Sequence, residues 1–339
     1  MQPILETNTS KYIILEEIGH GATCSVYKGY SLEDTSKKLY AIKIFDEKGK
    51  KYYDKELLIN KYLPPHYFVH IYNFGDGFIR KENINTDNIY HQKTLDSLDN
   101  YHGKIFYIIE ELEENGELFN YVYETKQGFS ERIACKIFTQ ILKYVKILHD
   151  NRIAHCDIKP ENIIVGKQFK LKLIDFGFSE ILGKDDNFIY DYKGSEIYSS
   201  PEVRNRNMNG YDGIKNDIFS LGVLLFVITI GRFPFEKSNY SDRHYRLIMG
   251  KKYEDFWCYY EEYNLTDEFK DLINNLLSYD PSERFSIDEI FQHLWIKMFL
   301  NENNDNNKND NHFINDIDDE VVDELKKRKE IIDAKNDFF

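Results

Sequence analysis

The segment from Ile153 to Val165, I-A-H-C-D-I-K-P-E-N-I-I-V, constrains this chain more than any other part of its sequence. It places the carboxylate of Asp157 two residues before Lys159 and five residues before Asn162. Transfer of a phosphoryl group needs a carboxylate that accepts the hydroxyl proton, a cation near the moving phosphate and an amide oxygen that binds a metal. The segment therefore predicts a phosphoryl-transfer site, and the other motifs can be judged by whether they serve it.

The composition is that of a folded protein with an acidic surface. The chain has 339 residues, of which 42% are apolar, enough for a sizeable buried core. Its formal net charge of -14 argues against nucleic acid or an anionic membrane as the main partner and favours basic partners. An acidic surface that only keeps the protein soluble is the alternative. We expect a monomer.

Cysteine spacing and the lack of targeting signals predict an intracellular protein. The four cysteines form no C-x-x-C pair, which argues against a disulfide framework or a cysteine zinc site. The first residues, M-Q-P-I-L-E-T-N, lack the basic start and apolar run of a signal peptide. The longest apolar run, Leu221 to Ile230, is too short to span a bilayer and predicts a buried core helix. We expect a cytoplasmic location without membrane insertion, with the nucleus as an open alternative.

Alternating apolar residues between Tyr12 and Phe45 predict three strands. Gly19 and Gly21, between the first two strands, allow a tight turn whose backbone N–H groups can approach phosphates. Glycine pairs also occur in ordinary hairpins, so this turn alone leaves both interpretations open. Lys43 lies within an apolar strand, A-I-K, and needs an anionic partner there.

A helix is predicted from Asp54 to Leu63, before a Pro-Pro pair, and Glu56 on it is the carboxylate best placed to meet Lys43. A solvated Glu56 is the alternative. Apolar spacing of 3.6 residues predicts further helices. They are Ser130 to His149, with Ser130 as N-cap, Asp217 to Ile230, Asp267 to Leu277, and Ile287 to Phe299.

Two segments are too polar to form a core of their own. Residues 80–103, between a predicted strand pair, read as an exposed and disordered insertion. Residues 301–339 form an acidic, Asn-rich tail, of which 301–311 are predicted to be disordered. Residues 321–334 of the tail suit an amphipathic helix. Whether that helix is solvated or docks as an autoregulatory segment stays open.

The motifs, in their order along the chain, resemble the signature set of the eukaryotic protein kinase family. They are the glycine turn, the strand lysine, the helix glutamate, H-C-D-I-K-P-E-N, Asp175-Phe176-Gly177 and Ser200-Pro201-Glu202. The resemblance extends from Tyr12 to Leu300 and implies an α+β, two-lobed fold. Its lobes would be 12–111, including the insertion, and 115–300, with 1–11 as an N-terminal extension.

The resemblance also implies the roles of individual residues in using ATP and Mg²⁺. Asp157 would be the catalytic base, and Lys159 would neutralise charge on the γ-phosphate. Lys43, oriented by Glu56, would hold the α- and β-phosphates, and Asn162 and Asp175 would bind magnesium. The nucleotide-binding set, in a cleft near Glu111 to Glu113, would be Ile18, Gly19, His20, Gly21, Ala22, Thr23, Cys24, Ser25, Val26, Ala41, Lys43, Glu111, Glu113 and Ile164.

Two distant positions would brace the helical lobe. The resemblance pairs Glu202 with Arg284 of D-P-S-E-R-F as a buried ion pair. It also places Asp217 where a carboxylate holds the backbone of the catalytic segment.

The same resemblance indicates the substrate. The form D-x-K-P-E-N and the pair Gly194-Ser195 resemble kinases that modify serine or threonine. Glu117 and Glu161 match positions that face an arginine about three residues before the acceptor in basophilic members. The alternative is that both glutamates are solvated. Within the family, N-G-E-L-F looks like the calmodulin-dependent group, and H-C-D with Tyr190-Asp191-Tyr192 like the dual-specificity tyrosine-regulated group. We favour the first, and a pseudokinase scaffold is the alternative function.

Two cysteines depart from the family pattern. Cys24 replaces the third glycine of the loop, where a packing residue is favoured over a redox-sensitive thiol. Cys156 replaces the arginine that normally pairs with a phosphate on the activation loop. That loop has no Ser or Thr between Ser179 and Ser195. We therefore predict activity without Ser/Thr phosphorylation there, with Tyr190 and Tyr192 as the open sites.

The position behind the adenine is unusual as well. Counting without gaps puts Glu110 at this position, where a buried carboxylate needs a partner. Asn60 would be its neighbour and hydrogen-bond donor. The alternative is a longer hinge that puts Ile109 there and turns Glu110 to solvent.

Overall fold

The computed structural model describes residues 1–21, 23–64, 68–83, 92–205, 209–300 and 318–336. Ala22, residues 84–91 of the predicted insertion and the predicted disorder at 301–311 lie outside the described residues. The chain forms two compact units. The strand-rich unit comprises Met1–Glu114 and Asp175–Gly177, and the helical unit comprises Asn115–Ile174 and the described residues from Phe178 onward.

The strands of the strand-rich unit form a closed antiparallel barrel in the order β1-β2-β3-β4-β6-β5. They are β1 (Gln2–Thr7), β2 (Lys11–His20), β3 (Ser25–Ser31), β4 (Leu39–Phe45), β5 (Ile71–Glu82) and β6 (Lys104–Glu111). The three strands predicted between Tyr12 and Phe45 are thus confirmed. Two helices complete the unit, α1 (Lys50–Asn60) and α2 (Gln92–Leu98).

Residues Gln2–Thr7 form a strand of this barrel, which corrects the description of the first eleven residues as an extension. Strand β1 pairs with β2 on one side and with β5 on the other. Ile4 and Leu5 are fully buried. Pairing with a strand some seventy positions away closes the sheet and removes its open edges.

The prediction of an exposed insertion is wrong for α2. Thr94 and Leu98 are buried, and Leu98 packs into the barrel core. Thr94 Oγ1 accepts a hydrogen bond from the Glu17 amide at 3.1 Å, and the Ser97 and Tyr27 hydroxyls are 3.1 Å apart. Two inward side chains one turn apart suffice to dock a short helix, but they are too few to stand out in a polar sequence.

Helix α1 is shifted toward the N-terminus relative to its prediction. It begins at Lys50 and ends at Asn60, before the Pro-Pro pair, and it buries Tyr53, Glu56 and Ile59. The helix begins with two lysines, so apolar spacing gives no signal for its first turn.

The helical unit consists of ten helices among its described residues. They are α3 (Leu118–Tyr123), α4 (Glu131–Asp150), α5 (Pro201–Arg204), α6 (Gly213–Ile230), α7 (Arg243–Met249), α8 (Tyr253–Trp257), α9 (Asp267–Leu276), α10 (Ile287–Gln292), α11 (Leu294–Leu300) and α12 (Asp319–Asn336). Short strand pairs join β7 (Ile153–Ala154) to β10 (Glu180–Ile181), β8 (Ile163–Val165) to β9 (Leu171–Leu173), and β11 (Phe188–Ile189) to β12 (Tyr211–Asp212).

Helices α4 and α6 form the centre of this unit. Ser130 caps α4 by accepting a hydrogen bond from the Ile133 amide, as predicted. Helix α6 begins at Gly213, earlier than predicted, because Asp212 caps it through the Lys215 amide at 3.0 Å. By length and composition α6 could cross a membrane, but its residues are mostly buried within the protein. The predicted buried core helix at Leu221 to Ile230 is therefore confirmed.

The helix predicted from Ile287 to Phe299 is two helices. His293 takes an extended backbone conformation between α10 and α11. Its ring nitrogen Nδ1 lies 3.2 Å from the Trp295 amide and accepts its hydrogen bond at the start of α11. Apolar spacing continues across this break, which explains why the sequence predicts one helix.

Candidate active site

Lys43 lies in a buried pocket of the strand-rich unit with two carboxylates. Its ammonium group contacts Glu56 on α1 directly, as predicted, and lies 3.4 Å from Glu110 on β6. The three side chains are each less than a tenth exposed. Burial by itself would lower the pKa of Lys43. The negative charges of Glu110, Glu56 and Asp175 have the larger effect and hold that pKa well above its ordinary value. Lys43 is therefore a fixed positive charge.

Strand alternation explains why Glu110 and not Ile109 faces Lys43. In the β4–β6 pair, Ala41 lies opposite Glu110 and Ile42 opposite Ile109. Side chains on a strand alternate between faces, so Ile42 and Ile109 point into the barrel core and Glu110 shares a face with Lys43. The buried Glu110 fits the ungapped count, but its partner is Lys43 and not the predicted Asn60.

This excess of carboxylates makes stability depend on pH. Burial has the strongest effect on the pKa of Glu56 and raises it, and repulsion from Glu110 raises it further. The attraction of Lys43 lowers this pKa but does not compensate. The Glu56 pKa is therefore raised to about 7, from an ordinary value of 4.5. The folded chain holds a proton in this range that the unfolded chain has released. The free-energy contribution of Glu56 to stability therefore falls as the pH rises from 4.5 to about 7.

We expect Glu110→Gln to reduce the loss of stability that accompanies the rise in pH. At about pH 7.5 the variant should gain about 1 kcal/mol of unfolding free energy, because Lys43 then faces one buried carboxylate, whereas at about pH 5 the gain should be near zero. Hydrogen exchange of the β4 and β6 amides at the two pH values measures it. Glu114→Gln, at an exposed position, is the matched control. Equal effects of Glu110→Gln at both pH values would contradict the assignment.

The glycine turn joins β2 to β3 in the strand-rich unit. Gly19 pairs with Val26 across the hairpin, and the Gly21 amide donates to the Cys24 carbonyl at 3.0 Å. The His20 ring is 3.0 Å from the Ser25 hydroxyl, and its side chain is largely exposed. Ile18 is 43% exposed. Thr23 and Ser25 are buried. The described residues of the predicted loop therefore form this hairpin turn.

Cys24 is a packing residue in this structure. Its side chain packs against a cluster that contains Phe45, Tyr53 and Ile108. Burial raises the pKa of the Cys24 thiol, with the opposing attraction of Lys43 too weak to compensate. The thiolate needed for redox chemistry is therefore disfavoured.

Asp175 belongs to the strand-rich unit and lies close enough to Lys43 to raise its pKa. Its Oδ1 accepts the Gly177 amide at 3.2 Å, and its own φ is +64°. The neighbouring Phe176 ring packs on Phe68, with centroids 5.5 Å apart. The structure thus brings Lys43, Glu56 and Asp175 together. Ala41 and Glu113 are buried in the same unit, and Glu111 is partly exposed at the end of β6.

Asp157, Lys159 and Asn162 meet in the helical unit. Lys159 Nζ lies 2.8 Å from Asp157 Oδ2 and 2.8 Å from the Ser195 hydroxyl. Asn162 Nδ2 donates to the Asp157 carbonyl oxygen at 2.7 Å and to Oδ2 at 3.0 Å. With its NH₂ group engaged in this way, Asn162 keeps its amide oxygen available as a metal ligand.

The Asp157 carboxylate is held in its ionised form. Burial alone would raise its pKa, but the Lys159 charge and the hydrogen bonds from Lys159 and Ser195 lower it. The Ser195 amide donates to Asp157 Oδ1 at 2.7 Å. A Cβ at the preceding Gly194, where φ is +93°, would lie 2.2 Å from the Cys156 carbonyl oxygen. Glycine there lets the backbone approach closely enough for this bond.

Asp217 on α6 fixes the backbone just before Asp157, as the resemblance implied. Its carboxylate accepts the amides of His155 and Cys156 at 2.7 and 2.8 Å, and the His149 ring at 2.9 Å. Asp217 and His155 are fully buried. Cys156 has a φ of +64°, so these bonds stabilise an otherwise unfavourable backbone conformation.

Cys156 lies in an apolar cluster at the base of the loop from Ser179 to Lys193. Its neighbours in that cluster include Leu182, Ile189 and Tyr211. The two ends of this loop are joined by an ion pair between Glu180 and Lys193, whose side chain is 9% exposed. Sequence reasoning missed this pair, because the two residues have no fixed spacing or motif.

Glu117 lies near Glu161, which belongs to the segment from Ile153 to Val165. Glu117 precedes α3 and bridges through its backbone to Ile164 on β8. Burial first, and then repulsion from Glu161, raises the pKa of Glu117. Burial likewise raises the pKa of Glu161, whose Oε2 accepts the Tyr198 hydroxyl at 3.2 Å. Two half-buried carboxylates that repel each other form a site that a cation would stabilise.

The predicted pair of Glu202 and Arg284 is confirmed. The guanidinium group donates to both carboxylate oxygens, at 2.6 and 2.8 Å. It also donates to the carbonyl oxygens of Ser278 and Lys215, at 2.9 and 3.0 Å. Arg284 is 2% exposed, so this network lies inside the helical unit.

Comparison with known proteins agrees with this geometry. A family model described as "Protein kinase domain" matches residues 12–296. The serine/threonine-protein kinase kin-29 of Caenorhabditis briggsae is 36% identical over 57% of this chain and 22% of its own length. A probable serine/threonine-protein kinase of Dictyostelium discoideum is 32% identical over 86% of this chain and 31% of its own length. The human SNF-related serine/threonine-protein kinase is 36% identical over 56% of this chain and 24% of its own length. The chain thus spans less than a third of each of these relatives.

Proposed function

Because this chain belongs to the protein kinase family, we propose that it transfers the γ-phosphate of ATP to serine or threonine hydroxyls of other proteins. The observation that carries this proposal is the ionised Asp157, fixed by hydrogen bonds to Ser195 and Asn162 and paired with Lys159. A carboxylate held in this way can accept the proton of a substrate hydroxyl. Its relatives are named as kinases of the same class.

The residues also suit a nucleotide with magnesium. Lys43 supplies a permanent positive charge for phosphate oxygens, and the carboxylate of Asp175 and the amide of Asn162 are hard oxygen ligands of the kind that Mg²⁺ prefers. Bound Mg²⁺ would neutralise charge that develops on the transferred phosphate. In the strand-rich unit, Gly19 and Gly21 are proposed to approach the phosphates, and Val26 and Ala41 to contact the adenine.

The test of this proposal is a transfer assay with Mg-ATP and a serine peptide, on protein first treated with a Ser/Thr phosphatase. We expect phosphopeptide to form for two reasons. Cys156 stands where an arginine would pair with a phosphate on the loop, and the Glu180–Lys193 ion pair joins the two ends of the loop without a phosphate. Nucleotide binding without transfer would favour a scaffold function. Loss of transfer on phosphatase treatment would contradict a loop that needs no phosphate.

We further propose that the substrate carries an arginine about three residues before its acceptor. The half-buried pair of Glu117 and Glu161 supports this, since a guanidinium group would relieve their repulsion. The net charge of -14 also favours basic partners. Placement in the calmodulin-dependent group, which rests on N-G-E-L-F, completes the proposal.

We expect Glu117→Gln to lower kcat/KM for an arginine-containing peptide by about tenfold to a hundredfold, because the guanidinium group loses a charged partner. For the same peptide with alanine in place of that arginine, the change should stay within about twofold. Steady-state kinetics with the two peptides measures the difference. Glu254→Gln, at an exposed position far along the helical unit, is the matched control. Equal losses for both peptides would show that Glu117 acts in folding and not in recognition.

A further inference from the structure

Helix α12 packs against α3, α4 and the short turn at Lys167–Phe169 of the same unit. Its buried positions are Val321, Leu325, Arg328 and Ile332, which recur every three or four residues and so form one face. Three of these residues are apolar, and the fourth is an arginine that is 4% exposed. A buried guanidinium group is stable only where acceptors surround it.

Arg328 enters such a pocket of acceptors. They lie 2.6 to 3.1 Å from its nitrogens and consist of the carbonyl oxygens of Tyr121, Gln127 and Gly128, the hydroxyl of Thr125 and the carboxylate of Glu324. The guanidinium carbon is also 3.9 Å from the centre of the Phe129 ring. The Tyr121 carbonyl lies in the last turn of α3, and those of Gln127 and Gly128 lie in the segment between α3 and α4. The arginine thus joins the end of α3 to the segment that leads into α4.

Charge pairs fix both ends of α12. Lys136 on α4, whose side chain is 4% exposed, lies 2.7 Å from Asp318 and contacts Glu320. Arg132 Nε lies 2.9 Å from Glu320. At the other end, Lys335 Nζ is 3.6 Å from the Glu124 carboxylate. The buried Lys136 in particular needs an acidic partner, since an unpaired charge there would be costly.

We propose that the face formed by residues 118–136, from α3 to the first turns of α4, is a docking site for an acidic amphipathic helix with an arginine anchor. Residues 318–336 of this chain occupy it in cis. The connection through residues 301–317 raises the effective concentration of the helix at its site. Arg328 supplies the specificity, because its fork of donors matches carbonyl groups that an apolar side chain would leave unpaired.

A chain that carries an added protease site within residues 301–317 tests this directly. After cleavage, the two fragments should stay associated at micromolar concentration, and a labelled peptide of residues 318–336 should exchange into the complex. The Arg328→Ala peptide should bind about thirtyfold more weakly, whereas Lys327→Ala, at an exposed position, should bind within about twofold of the native peptide. Separation of the fragments, or equal binding of the two variant peptides, would overturn the proposal.

Hydrogen exchange on the uncleaved chain provides a second measurement. Arg328→Ala should remove the protection of the α12 amides while α6 stays protected, and Lys327→Ala should leave both unchanged. Unchanged protection of α12 in Arg328→Ala would overturn the role of the anchor. Neither experiment involves phosphoryl transfer, so its result is independent of the proposed function.

Discussion

Replacing Asp157 with asparagine should lower kcat by about a hundredfold to ten-thousandfold while the chain stays folded. The amide of the variant cannot take up the substrate proton, and it also removes the negative charge that faces Lys159 at 2.8 Å. Asparagine nearly keeps the size of the side chain, and its oxygen can still accept the Ser195 amide that Asp157 Oδ1 accepts at 2.7 Å. The backbone of the segment stays anchored by Asp217.

Two comparisons separate loss of chemistry from loss of structure. Asp185→Asn, at an exposed position of the nearby loop, should keep full activity. Nucleotide affinity of Asp157→Asn should stay close to that of the native protein, because Lys43 and Asp175 lie in the strand-rich unit. A native rate of phosphoryl transfer by Asp157→Asn would contradict the assignment of Asp157 as base. Joint loss of nucleotide binding and folding would show that the residue is structural.

Motifs whose residues lie close together in sequence could be predicted well. Asp157, Lys159 and Asn162 meet as expected because they lie within six consecutive residues. The predicted strand and helix suggested the pair Lys43–Glu56 but left a solvated Glu56 open, and the resemblance favoured the pair. The pair Glu202–Arg284 followed from the resemblance alone, since no local pattern joins its residues. What the resemblance implies for the roles of these residues in catalysis stays a prediction.

Features outside the family pattern could not be predicted, for physical reasons. Strand β1 precedes the first motif, and its partner β5 lies far along the chain, so its short apolar run carried no signal of pairing. The acceptors of Arg328 are mostly backbone carbonyl groups, which every residue possesses. The contact of Lys43 with a second carboxylate, Glu110, depends on the register of β4 and β6, which places both side chains on the same face of the sheet. The sequence does not specify that register.

The largest expected effect on stability is that of Arg284→Ala. Removing this side chain leaves Glu202 without its partner and the carbonyl oxygens of Ser278 and Lys215 without a donor inside the helical unit. Breaking a buried ion pair from one side costs about 3–5 kcal/mol, mainly because the remaining charge stays desolvated. Both tryptophans of the chain, Trp257 and Trp295, are in the helical unit, so their fluorescence during urea unfolding measures its stability.

The matched control is Arg232→Ala, because Arg232 is exposed and lies 3.7 Å from the exposed Glu262. An ion pair in water contributes little, so we expect a change below about 1 kcal/mol. The double variant Glu202→Ala/Arg284→Ala should be less destabilised than the sum of the two single variants, since no unpaired charge is left behind. Similar losses for Arg284→Ala and Arg232→Ala would contradict a central role for the buried pair. Additive effects in the double variant would place the cost in lost packing and not in the orphaned carboxylate.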